Sequence, residues 1–74
     1  MSSDQVVATW VFMTLTRLRR RLGLSTRQLQ GFALEHELVG FLYANHELLH
    51  LYDDDVVCDD VLAHVTERTM VHAR

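Results

Sequence analysis

Proline and lysine are absent from the 74-residue chain, cysteine occurs once, and glycine only three times. Without proline, and with glycine confined to positions 23, 31 and 40, the turn chemistry of a strand-rich fold is missing, so helices joined by short connections are expected. A single cysteine excludes an intramolecular disulfide and fits a reducing compartment. Nothing resembles a glycine-rich phosphate loop, and no Ser/His/Asp set has a recognisable catalytic spacing. The longest apolar run, from Val6 to Met13, falls short of the ~20 residues a bilayer requires. Arginines follow that run rather than precede it, the reverse of a secretory signal. The expectation is a cytoplasmic protein without a membrane anchor.

What is present is a hydrophobic fraction of 49% against 23% charged, enough to drive folding and too apolar for a disordered tail. The length allows one domain, residues 1–74, with the tail from about residue 70 expected to fray. A chain this short buries only about 60% of its unfolded surface, so a partner would add stability. Seven arginines against ten acids give a formal charge of −3. The charges are segregated, with Arg17, Arg19, Arg20, Arg21 and Arg27 early and Asp53, Asp54, Asp55, Asp59 and Asp60 late.

Hydrophobic spacing predicts an all-α, compact bundle of three to four short helices. A first helix over about Asp4–Leu22, with Ser3 as its N-cap, carries Val7, Val11, Leu15, Leu18 and Leu22 on one face. Arginines fill its last turns and Gly23 suits its C′ position. Ser25-Thr26-Arg27-Gln28 has the form of a capping box, with Leu24 and Leu29 spaced as a hydrophobic staple. A second helix is expected over Thr26–Leu34, burying Leu29, Phe32 and Ala33. A bend near Glu35-His36 precedes a third over Glu37–Leu51, whose stripe holds Leu38, Phe41, Leu42, Leu48, Leu49 and Tyr52. Asn45 falls on that stripe. A fourth helix over Val56–Thr69 buries Val57, Val61, Leu62 and Val65.

Three sets of residues bear on function. His46-Glu47-Leu48-Leu49-His50 spells H-E-x-x-H, in which two imidazoles one turn apart could share a zinc ion and Glu47 act as base. A third ligand would have to come from His64, Glu67 or His72, so His46 and His50 read first as residues flanking a core stripe. The Arg17–Arg21 cluster could grip nucleic-acid phosphates, but a helix end with solvated arginines is the simpler reading. Leu22 to Leu42 has the outline of a helix-turn-helix, but its would-be recognition helix offers Glu35, His36, Glu37 and Leu38, which repel phosphate and make few base contacts; the aspartates from Asp53 to Asp60 lack the central glycine of a calcium loop. Cys58 reads as a small core residue. Finally, Trp10, Phe12, Met13, Phe41 and Tyr43 exceed what so small a core can hide, and such side chains are enriched at interface cores. They are the candidate partner-binding residues of a non-enzymatic protein–protein interaction module with no cofactor, and a homodimer is one form it could take.

From residue 45 onward the chain resembles a family of short bacterial helical domains of unknown function. Their pattern is aromatic-acid-aliphatic-Leu-His, a short polar turn, two aliphatics, and paired aspartates before another aliphatic. Glu47, Leu48, Leu49 and His50, then Val56, Val57, Asp59, Asp60 and Val61, carry the likeness here. His46 stands where that family has an aromatic residue, and Leu51-Tyr52-Asp53 where a glycine-containing turn is common. Members of the family are often encoded beside an ADP-ribosyltransferase-fold, toxin-like protein. The resemblance implies a partner-binding role, as antitoxin or accessory subunit of that neighbour, and supplies no catalytic residues.

Overall fold

The structure, a computed structural model, describes residues 3–72, with side chains described as far as Glu67. Four helices follow one another: α1 (Ser3–Leu22), α2 (Thr26–Glu35), α3 (Leu38–Leu49) and α4 (Asp54–His72). The all-α bundle expected from the spacing is what forms. Helix α1 is the hub, packing on α2, α3 and α4, while α2 also meets α3. Leu18, Leu38, Leu42 and Val61 are completely enclosed, and Val11, Leu49, Val57 and Cys58 join them in the core. Among the described residues no helix is long and apolar enough to cross a membrane.

The corner between α1 and α2 is built entirely from local sequence. Gly23 adopts φ +69°, the left-handed region that a side chain disfavours. Its N–H donates to the Arg20 carbonyl at 3.3 Å and the Leu24 N–H to the Arg19 carbonyl at 3.0 Å, the paired bonds of a Schellman motif. Arg19 Nη1 then donates to the Leu24 carbonyl at 3.1 Å. One residue later the capping box is complete: Gln28 N–H donates to Ser25 Oγ and Ser25 N–H to Gln28 Oε1.

The other boundaries differ from expectation in instructive ways. Ser3 already belongs to α1 rather than capping it. Helix α2 runs one residue past Leu34, to Glu35, and α3 spans Leu38–Leu49 instead of Glu37–Leu51. The separation comes from Glu37, whose φ of +53° and ψ of 41° place it in the left-handed region, so the helix cannot pass through it. At its other end α3 closes with the Leu51 and Tyr52 amides bonded to the carbonyls of Leu48 and Leu49. Helix α4 begins two residues early, at Asp54, because the Asp53 carbonyl accepts from Val57 N–H. Asp54 and Asp55 thus fall in its first turn, where the helix dipole favours negative charge. The α4 backbone continues to His72, past the expected end at Thr69. The expectation that the tail from about residue 70 frays falls on residues whose side chains, and from 73 whose backbone, lie outside those described.

The expected stripes are mostly inward, with exceptions at their ends. Val7, Leu15, Phe32, Leu62 and Val65 pack half-buried against the core. Leu22, Leu48 and Tyr52, placed on stripes by spacing, are exposed. Asn45 reconciles its stripe position by donating to the Phe41 carbonyl at 2.8 Å, and the buried Thr14 hydroxyl donates to the Trp10 carbonyl at 2.8 Å. Among the described residues, no buried side-chain polar atom lacks a partner.

Candidate docking surface

Helices α1, α2 and α3 leave an open groove of about 550 Å³ between them, lined by Phe12, Leu15, Leu29, Ala33, Leu34 and Val39. Phe12 is 70% exposed, Leu34 80% and Val39 46%. Three large apolar residues at one groove are a different matter from scattered surface leucines, which need no explanation. The cause lies in helix geometry. On α1 the core takes Val11, Thr14 and Leu18, so Phe12, about 100° round the helix from Val11, must point elsewhere. On α2 only Ala33 is buried, and Leu34 next to it faces out.

The five residues expected to bind a partner divide. Phe12 stands at the groove, and Met13 and Tyr43 are about half exposed but do not line it. Trp10 and Phe41 are half-buried against the core, a correction to the idea that the protomer cannot shelter them. Histidines make this shelter. The Trp10 ring meets His46 edge-on at 5.0 Å, and Phe41 stacks on His64 with ring centroids 4.0 Å apart. Leu34 and Val39 are the groove residues that sequence reasoning missed. The available signal was their place just off the core stripes, beside Ala33 and Leu38.

The two histidines of the H-E-x-x-H pattern do share a face of α3, but their rings stack, 4.7 Å apart and 15° from parallel. A metal ion is bound by lone pairs in the ring planes, whereas here the faces meet. His50 Nδ1 lies 2.7 Å from the His46 carbonyl oxygen and is occupied by it. Among the described residues no three His, Cys, Asp or Glu side chains converge closely enough to hold a metal. His72 lies outside the described side chains.

The arginine cluster is spent largely within the fold. Arg17 Nη1 meets Asp54 Oδ1 at 3.0 Å, and Arg21 Nη2 pairs with Asp59 while its Nη1 donates to the Asp55 carbonyl at 3.2 Å. The segregated charges are therefore complementary in space: the end of α1 meets the acidic start of α4. Asp59 holds the Arg21 proton more tightly than usual, chiefly through their hydrogen bond. Two of the arginines a DNA backbone would need are thus already paired with carboxylates, which lowers their appeal to phosphate.

Cys58 is buried beneath this charged seam. Burial pushes its thiol pKa up, against an opposing pull from Arg21, a basic neighbour in space that sequence proximity did not reveal. Because the folded thiol holds its proton more tightly than the unfolded one, its contribution to stability is full below the unfolded pKa. It fades as pH rises through the folded value. Unfolding midpoints are therefore expected to drop above about pH 8.5, less so for Cys58→Ala. A thiol reagent should label Cys58 quickly only after unfolding; rapid labelling of native protein would contradict this.

Comparison with protein-family profiles, with curated proteins and with solved structures finds no match to this chain.

Proposed function

We propose that the chain is a non-enzymatic interaction module that works by burying the α1/α2/α3 face against another polypeptide. The observation that carries this reading is the groove itself, a concave apolar surface with Phe12, Leu34 and Val39 left in water. A hydrophobic centre with a polar border is the usual anatomy of an interface. Here polar residues share the lining with the apolar ones: Thr16, Thr26, Gln30 and Glu37. Binding there would stabilise a small domain through mass action.

The resemblance of residues 45–61 to the short bacterial domains suggests the partner class: an ADP-ribosyltransferase-fold, toxin-like protein, with this chain as its antitoxin or accessory subunit. Met13 and Tyr43, exposed away from the groove, remain candidate contacts for such a partner.

The test is a pull-down with tagged chain from its source cell, alongside Phe12→Ser/Leu34→Ser and Met13→Ser/Tyr43→Ser variants. Specific recovery of a protein, lost in the Phe12→Ser/Leu34→Ser variant, is the expected result. Recovery unaffected by that pair, or no recovery at all, would overturn the docking reading. If the recovered protein is toxic when expressed alone, co-expression of this chain should restore growth.

A further inference from the structure

We propose that the α1/α2/α3 groove is a binding site for a small uncharged amphiphile, a molecule with an elongated apolar body and one hydroxyl or amide end. Such a ligand would occupy the groove whether or not a polypeptide docks over it, so the pull-down above does not decide it.

Size is the first observation. The groove offers about 550 Å³ between three helices, inside the range of about 300–1,000 Å³ that holds a cofactor or a drug-sized molecule. Sites of that kind favour the space between helices and are lined mainly by apolar side chains. Phe12, Leu15, Leu29, Ala33, Leu34 and Val39 supply such a lining here. Ala33 is buried and Leu15 half-buried, whereas Phe12 and Leu34 stand in water. An apolar body lying against them takes that exposed surface out of water, which is the source of the affinity.

The polar side chains decide what the rest of the ligand must be. Thr16, Thr26, Gln30 and Glu37 line the groove with the apolar set. The Thr16 hydroxyl is already donating to the Phe12 carbonyl at 3.0 Å, and Glu37 has an interaction of its own. Thr26 and Gln30 make no side-chain hydrogen bond or ion pair among the described residues. Thr26 opens α2, Gln30 follows one turn on and Leu34 another turn beyond, all on one face of the helix. A wholly apolar ligand covering that face would strip water from a hydroxyl and an amide and leave both unpaired, which is costly. A hydroxyl or amide on the ligand replaces the water, because threonine and glutamine side chains each donate and accept. The polar end therefore belongs beside Thr26 and Gln30, and the apolar body along Leu34 and Val39.

The lining also selects against charge. No arginine, lysine or histidine lines the groove. An acid placed there would lose hydration with no cation to compensate it. The one carboxylate, Glu37, lies past the C-terminal end of α2. It gives a cationic end nothing to pair with beside Thr26. An uncharged end meets neither penalty.

The test is titration of the full chain with N-phenyl-1-naphthylamine, an uncharged two-ring molecule that fluoresces in apolar surroundings. Saturable one-to-one binding is expected, and 1-decanol should displace the probe. Decanoate, with the same chain length and a charged end, should displace it at least about tenfold more weakly. Leu34→Ser/Val39→Ser should abolish saturation while circular dichroism stays unchanged, since both side chains are exposed. Thr26→Val/Gln30→Met keeps the shape of the groove but removes the polar partners, and should weaken decanol about tenfold. No saturable binding of the probe, or saturation that survives Leu34→Ser/Val39→Ser, overturns the site. Decanoate competing as well as decanol, or decanol that ignores Thr26→Val/Gln30→Met, overturns the assignment of an uncharged hydrogen-bonding end.

Discussion

Leu42→Ala is expected to cost about 2–5 kcal/mol, close to half of the native state's stability. Leu42 is completely enclosed on α3, beside other core residues contributed by α1 and α4. Removing its isobutyl group loses transfer free energy and leaves a cavity that the helices can only partly close. A domain of this length has roughly 4–11 kcal/mol in total, so about half could go in one substitution. In urea, where a small protein loses about 1 kcal/mol per molar, the midpoint should fall by two molar or more. Phe12→Ala should cost less than about 0.5 kcal/mol. The larger side chain thus has the smaller effect because it is in water. A Leu42→Ala midpoint within half a molar of the parent would mean that the core has been misplaced.

The second large effect is expected at Gly23. Valine there must take φ near +69°, where a β-branched side chain clashes with its own backbone, and the two Schellman hydrogen bonds would lengthen in response. A loss of about 2 kcal/mol follows, with alanine near 1 and asparagine less, since its short polar side chain tolerates the left-handed region. A thermal series is a direct reading, because 1 kcal/mol shifts the midpoint of so small a domain by about 4–8 °C. The order Gly, Asn, Ala, Val should hold from highest to lowest midpoint. Open space around Gly23, with nothing within 4 Å of a would-be Cβ, excludes crowding by other side chains as the cause. If valine melted at the same temperature as glycine, the turn would not be acting as a helix stop.

These two sites mark what could be read from sequence. The α1–α2 corner was legible because every group in it answers to a neighbour within five residues: Gly23, Ser25 and Gln28 carry their own conformational instructions. The inward faces of α1 and α4 were legible by spacing. The left-handed turn at Glu37 was not, because glutamate has no local preference for that conformation and packing of α2 against α3 must impose it. The Arg17–Asp54 and Arg21–Asp59 pairs were equally hidden, since each joins residues more than thirty positions apart. The candidate site was legible in part. Phe12 was identified from an excess of aromatic surface, but which aromatics stay exposed depends on His46 and His64 covering Trp10 and Phe41. Leu34 and Val39 become visible as groove residues only when α2 and α3 are set side by side on α1.

Glu37 joins backbone and groove in one residue. Holding a side chain in the left-handed region costs about 1 kcal/mol that glycine would not incur, so a chain shaped for rigidity alone would have glycine between α2 and α3. Glycine would also remove the one carboxylate among the residues that line the groove. The junction therefore keeps a carboxylate beside the groove at a small cost in fold stability.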